Sequence, residues 1–372
     1  MAIEAKYNAL ITARFDRAAL ERGGGPGMKD GLAGVLGAVK YSGFGVTAKK
    51  LEEDELIEEL EGADILISEF EPLTRRVIES SPRLKLIGCC RTGPEASVDI
   101  VAASERGIPV LHTPGRNAVS VAEFTLAMMI GVARHLAEVY HLLKYTEELT
   151  QVSYEDKKDE RKGVTSEWSL DPSAPFNRFQ GPELAGKILG LVGFGAIGRE
   201  VALRAKAFGM RILIFDPYVS DAGAKSEDVE KASLERLAES SDFVVMAAKV
   251  SAETIGLFSR SIFGRMKPTS YFINAARAAL VDYGALYEAL AGRRIAGAAL
   301  DVYPEEPIPP DSPFRGLDNI LITPHLAGAS TDIPRHHSRM IAAAVCQAIS
   351  GSPPAVLRNP ECWERSSFAR KG

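Results

Sequence analysis

The chain has 372 residues and a mass of 40.1 kDa, enough for two domains whose cores need no disulfide or metal staple. Hydrophobic residues make up 46% and charged residues 25%, ordinary globular usage that excludes a disordered or low-complexity chain. A net charge of −5 speaks against a nucleic-acid partner gripped by its phosphates and against an anionic membrane surface.

In chain order, apolar runs at Ala9–Ile11, Asp64–Ser68 and Leu84–Cys90 predict strands. Leu51–Leu60, with leucines and Ile57 at helical spacing among acids, predicts an amphipathic helix between the first two. Such alternation points to a parallel sheet covered by helices. Gly23–Gly27 breaks both periodicities and reads as a loop. The adjacent Cys89 and Cys90 lie on a strand and read as core. With Cys346 and Cys362 their spacing suits neither a disulfide framework nor a zinc site, which fits a reduced, cytoplasmic protein. The N-terminus lacks a basic region backed by an apolar one, so no signal peptide is expected.

Ser120 and Glu123 have capping-box spacing, and one long helix is expected from there to about Lys144. Its apolar part includes Glu123 and runs into Arg134-His135. A spanning helix needs about 20 apolar residues, so no membrane segment is expected. The helix carries Phe124, Met128, Met129 and Ile130 together, more than one core stripe needs, which predicts packing across a two-fold axis and a homodimer. Residues 145–180 are charged, then rich in proline and serine, and read as a solvated connection or insertion.

At Ile188–Val192 the pattern sharpens into strand, glycines and a helix to about Phe208, with Gly209 placed to end it. Further strands are expected at Ile212–Phe215, Phe243–Ala247, Tyr271–Asn274, Ile295–Leu300 and Ile320–Thr323, and a last helix at Ser338–Ile349. The segment Gly193-Phe194-Gly195-Ala196-Ile197-Gly198 is a G-x-G-x-x-G in its proper context, with Asp216 ending the next strand 23 residues on. Gly193 permits the tight turn, Gly195 the approach of a pyrophosphate and Gly198 close helix–strand packing. The helix N-terminus supplies free N–H groups. A carboxylate at Asp216 accepts ribose hydroxyls and repels a 2′-phosphate, so the expected cofactor is NAD.

Three further patches follow predicted strands: Ile273–Asp282 around Arg277, Ala299–Pro307 with Asp301 and Glu306, and Thr323–Gly328 with His325. With the glycine motif, the ordered set resembles the D-2-hydroxyacid dehydrogenase family, whose best-known branch is D-3-phosphoglycerate dehydrogenase. The resemblance covers about residues 60–350. It implies two α/β domains, Rossmann-like and flavodoxin-like with parallel sheets, and an active site in the cleft between them. A substrate-binding domain of residues 1–115 is completed by 327–372, and the NAD-binding domain is 116–326.

By the same resemblance Arg277 holds the substrate carboxylate, His325 is the acid/base and Glu306 its carboxylate partner. The chemistry agrees: an alcohol losing hydride needs a base for its proton, and histidine titrates near neutral pH. Arginine grips a carboxylate through two parallel bonds. The resemblance implies cofactor contacts from Ala196, Ile197, Ala275, Ala276, Arg277, Asp301 and His325, and substrate contacts from Arg91, Thr92, Gly93 and Arg277. The small-molecule substrate that the resemblance implies is a D-2-hydroxy acid or its 2-keto acid, phosphorylated or sugar-derived acids included.

The chain departs from the family pattern R-x-G-x-G at Arg91–Ser97, where the second glycine is missing and Glu95 lies in the loop, where Ala247 and Lys249 stand in place of a histidine, and where Ala275 replaces a threonine. Arg75, Arg76, Arg91, Arg116 and Arg335 are candidates to read a phosphate or polyhydroxy group. His336-His337 reads as a surface or hinge-facing pair, and no metal is expected. The alternative of another class is an NAD-sensing, corepressor-like interaction protein on the same fold.

Overall fold

A computed structural model describes residues 6–22, 31–149 and 174–369. The Gly23–Gly27 loop and the charged run within 150–173 lie outside the described residues. The chain divides into two compact units, Met1–Asn117 with Ser330–Gly372, and Ala118–Ala329.

The first unit is built on a five-stranded parallel sheet of order β2-β1-β3-β4-β5. Its strands are β1 (Tyr7–Ile11), β2 (Leu36–Tyr41), β3 (Ile65–Ser68), β4 (Leu86–Cys89) and β5 (Val110–Leu111). β3 and β4 are buried throughout, as expected of parallel strands covered on both faces. The edge strand β2, which was not expected, is only partly buried, with three of its six residues exposed. The helix expected at Leu51–Leu60 runs Glu53–Glu59. It is opened by a reciprocal capping box in which Glu52 and Glu55 each accept from the other's backbone N–H. The C-terminal helix starts at Ile333, with Pro334 in its first turn, and runs to Ile349.

The second unit holds a seven-stranded parallel sheet of order β12-β11-β10-β9-β6-β7-β8. Its strands are β6 (Ile188–Val192), β7 (Arg211–Phe215), β8 (Glu230–Lys231), β9 (Phe243–Met246), β10 (Tyr271–Asn274), β11 (Gly297–Leu300) and β12 (Ile320–Ile322). The helix Ala196–Ala207 follows β6 and ends at Gly209 in the left-handed region, φ 76°.

The single long helix expected from Ser120 is instead two. Ala118–Ala133 and Leu136–Tyr145 meet at 65°. His135 takes φ 53° at the break. The chain returns past the break at Gly181, where a Cβ would lie 1.7 Å from the Ala133 carbonyl oxygen, so only a glycine fits beside the helix end. Since the helix opens at Ala118, Ser120 and Glu123 lie inside it, not at a cap. Glu123 pairs instead with Arg204 at 3.2 Å. Met128 and Met129, expected at a two-fold interface, are buried in this unit's own core. Among the described residues no single helix is long and apolar enough to cross a membrane.

Candidate active site

In each sheet the strand order reverses direction at one place, and open α/β sheets bind ligands at the carboxyl ends of the strands there. In the second unit that place is between β6 and β9. Gly193 takes φ 102°, and a Cβ on it would sit 2.5 Å from the backbone nitrogen of Ala248. A Cβ on Gly198 would meet the Gly193 carbonyl oxygen at 2.5 Å. Above Gly195 nothing lies within 4 Å of the corresponding position. The three glycines therefore do different things: the first and third let chains pass, and the second leaves an open cradle. Exposed Ala196 and half-buried Ile197 begin the helix and offer their N–H groups to that cradle.

Asp216 follows β7. One of its oxygens accepts the N–H of Phe194 at 2.8 Å and the other that of Tyr218 at 2.9 Å. The first bond ties the acid to the glycine loop, a role its spacing does not reveal. An ionised carboxylate has about four acceptor positions, so capacity for ribose hydroxyls remains. The residues present thus fit a dinucleotide.

Beyond β10, Arg277 sits in a loop fastened by buried Asn274. Its Oδ1 accepts the N–H of Ala276 at 3.0 Å, and its Nδ2 donates to the carbonyl of Arg277 at 3.2 Å. Ala275 packs into the core, so only its backbone is available to a ligand. The exposed Arg277 guanidinium has no carboxylate partner among the described residues. It donates to the carbonyl of Ala276 at 2.6 Å.

His325 and Glu306 come together. Nδ1 of His325 lies 2.6 Å from Oε2 of Glu306, whose other oxygen accepts the N–H of Tyr303 at 3.1 Å. Burial pushes the Glu306 pKa up, but hydrogen bonds from His325 and Tyr303 and the charges of His325 and Arg277 outweigh it. The acid is held below the usual carboxylate value. A bond to a carboxylate places the proton on Nδ1 and leaves Nε2, which has no partner among the described residues, for a reactant.

The imidazole is carried on a backbone with φ 58°, a conformation uncommon outside glycine, although asparagine, aspartate and histidine enter it more readily than other residues. Asp301 enforces it. This fully buried acid accepts the N–H of Leu326 at 2.7 Å, the N–H of Ala327 at 2.8 Å and the Thr323 hydroxyl at 2.6 Å. Tyr303 joins the same frame: its hydroxyl lies 2.9 Å from the carbonyl oxygens of both Leu300 and Thr323 and shares its one proton between them. Asn274, Tyr303 and Thr323 were not singled out from the sequence. Asn274 and Thr323 end or follow strands in the quoted patches, which is the signal that was there to use.

In the first unit, exposed Thr92 and Gly93 follow Arg91 after β4. Glu95 is ion-paired with Arg358, which offsets its negative charge beside this loop. Of the five candidate arginines, Arg75 pairs with Glu79 and Glu105, Arg76 with Glu53 and Asp54, Arg116 with Glu69, and Arg335 with Asp332. Arg91 is the exception. His337, expected at a surface or hinge, is fully buried. Its Nε2 lies 2.6 Å from the carbonyl oxygen of Arg14 and its Nδ1 3.2 Å from Arg116. Burial lowers its pKa. The four cysteines are free and buried.

Residues 126–327 match the model of the D-isomer specific 2-hydroxyacid dehydrogenase family, NAD binding domain. The chain is 34% identical to the D-3-phosphoglycerate dehydrogenase of Archaeoglobus fulgidus, covering 89% of this chain but 58% of that protein. It is 36% identical to the hydroxypyruvate reductase of Thermotoga maritima, covering 77% of this chain and 84% of that one. Among solved structures, the NAD-complexed D-isomer specific 2-hydroxyacid dehydrogenase of Lactobacillus delbrueckii superposes with a TM-score of 0.71. At 19% identity, over 95% of this chain and 99% of that one, that likeness speaks for the fold. All three bear the names of enzymes.

Proposed function

This chain belongs to the D-isomer specific 2-hydroxyacid dehydrogenase family, and from that premise we propose how its residues divide the work of an NAD-dependent oxidoreductase acting on a 2-hydroxy acid or its 2-keto acid. The observation that carries the reading is the His325–Glu306 bond of 2.6 Å beside an unpaired Arg277. NAD, when bound, accepts or supplies the hydride at C2. Gly193, Gly195, Ala196, Ile197, Gly198 and Asp216 would hold its pyrophosphate and ribose, and the backbone at Ala275, Ala276 and Asp301 its nicotinamide end.

The remaining work falls to side chains. Arg277 binds the substrate carboxylate and polarises the carbonyl oxygen. In the direction of reduction His325 gives the proton on Nε2 to that oxygen, so the keto acid gains one proton and one hydride. In oxidation it takes the proton back. Glu306 favours the imidazolium and fixes the ring. Asp301, through the turn at Thr323–Ala327, is a positioning residue. The first unit, with Arg91, Thr92 and Gly93, serves the substrate.

The protein works as a homodimer in the cytoplasm. Because Met128 and Met129 are already covered, the dimer is argued from Leu136, Tyr140 and Leu143, exposed along one helix. The location rests on four unpaired cysteines. Reduced-nicotinamide consumption with a panel of 2-keto acids tests the activity, and no turnover of any of them overturns it. Light scattering tests assembly against the 40.1 kDa chain mass: a particle of that mass rules the dimer out.

A further inference from the structure

The loop after β9 carries Ala247 and Lys249, and nothing in the catalytic scheme above uses it. Ala247 donates its N–H to the carbonyl of Val192 at 2.8 Å, which ties the loop to the end of β6. A Cβ on Gly193 would meet the backbone nitrogen of Ala248 at 2.5 Å and its Cα at 2.6 Å. The chain from Ala247 to Lys249 therefore runs directly beside the glycine turn, within the same unit. Ala248 and Val250 pack against the core, and Lys249 between them is exposed. The backbone here is fixed: the Thr254 hydroxyl donates to the Lys249 carbonyl at 2.8 Å and accepts the N–H of Ser251 at 2.7 Å. The ammonium is left over. Glu253, the carboxylate of this loop, accepts from the Ser251 hydroxyl at 2.7 Å, and Lys249 has no ion-pair partner among the described residues.

The cradle beside it is short of positive charge. A pyrophosphate brings two negative charges, and a helix N-terminus offers only about half a positive one. Asp216 adds a further negative charge, since it accepts the N–H of Phe194 in the glycine loop at 2.8 Å. Ala196 has no charge to give. Arg199, on the first turn of the helix, is spent on Glu227 at 2.6 Å and on the Phe194 carbonyl at 2.5 Å. The loops leaving β6, β7 and β9, which surround the reversal point, contain a single cation between them, and it is Lys249.

We propose that the Lys249 ammonium pairs with the pyrophosphate of the dinucleotide, so that this chain holds its cofactor partly by a side-chain charge and not by backbone donors alone. This rests on the cofactor placement proposed above and adds a residue to it. A lysine suits the task, because it acts as a point charge on a flexible stem and needs no bidentate geometry.

The test is the NADH affinity of the full-length protein, read by fluorescence titration. At low ionic strength Lys249→Gln should weaken NADH about tenfold, the size of one charge-assisted hydrogen bond. Lys249→Arg keeps the charge and should restore most of the loss. At about 1 M salt, where the Debye length is about 3 Å, the gap between wild type and Lys249→Gln should close to within about threefold. Equal affinities at low salt overturn the proposal and leave the oxidoreductase reading intact. So does a loss of the same size at both salts, which marks a change in the loop and not a lost charge. A loss seen with NADPH and not with NADH also overturns it, by moving Lys249 to the 2′-phosphate. No NADH binding by the wild-type protein overturns the cofactor placement and this proposal with it.

Discussion

Both sheets of this protein reverse strand order beside a central strand, yet the two reversal points are furnished in opposite ways. Next to β6 the chain is stripped to glycine, and what is offered is backbone: the N–H groups that open the helix at Ala196. Next to β1 the loops carry large side chains, the guanidiniums of Arg14 and Arg91 stacked on the rings of Phe44 and Phe70. The difference follows from what each must recognise. A dinucleotide pyrophosphate never changes, and backbone donors read its shape whatever side chains surround them, with Lys249 proposed to add only charge. Side chains, by contrast, can be exchanged to follow a ligand that varies.

The contrast can be broken first at the chemistry it serves. His325→Asn keeps a residue that tolerates positive φ and removes the acid/base. It should lower kcat about 10²–10⁴-fold with NADH affinity changed little, as titration by fluorescence would show. A comparable loss of NADH binding would assign His325 to the cofactor site instead.

Within the glycine loop, truncation cannot weaken backbone recognition, but addition can. Gly193→Ala places a Cβ 2.5 Å from the Ala248 nitrogen at a positive φ and should cost folding itself, on the order of several kcal/mol. Gly195→Ala meets open space. It should leave Tm within a few degrees while NADH affinity drops more than tenfold, because the added methyl stands where the pyrophosphate must come. Equal melting losses in the two variants would erase the distinction drawn between these glycines.

Asp216→Ala should reduce NAD preference over NADP by about tenfold or more, as a comparison of kcat/KM for the two cofactors would show. It also frees the N–H of Phe194, so a modest loss of stability, about 1 kcal/mol, should accompany it. Unchanged selectivity would remove Asp216 from the ribose.

The smallest effect concerns pH. The Glu306 pKa is depressed from its ordinary 4.5, so its carboxylate stays ionised above that value and loses its charge only as pH falls through the lowered one. An acid limb arising from Glu306 therefore belongs below about pH 4.5. In Glu306→Gln the carboxylate that favours the imidazolium is gone, and the alkaline limit of keto-acid reduction should move to lower pH. An identical profile would detach Glu306 from the proton transfer.

The sequence by itself determined the elements whose signal is local. Strands such as Ile188–Val192 show in their apolar runs and the glycine turn in residues that alone permit it, whereas Arg277, Glu306 and His325 stand out only through the family resemblance of their ordered patches. Short-range pattern suffices there because each feature is encoded within a few residues. The edge strands β2, β5 and β8 escaped: β2 and β8 have little buried surface and need little apolar patterning, and β5, though buried, is only two residues long. What only the tertiary structure decided is pairing at long sequence separation. The chain at Gly181 returns past the end of a helix at Ala133, although the apolar pattern runs on through it. Asp301 bends the backbone under His325, His337 sinks into a core beside Arg116, and partners neutralise Arg75, Arg76, Arg116 and Arg335 while leaving Arg14 and Arg91 unpaired. A charged residue looks the same in sequence whether or not a carboxylate waits across the fold, and its availability to a ligand is settled only when the chain has brought the two together.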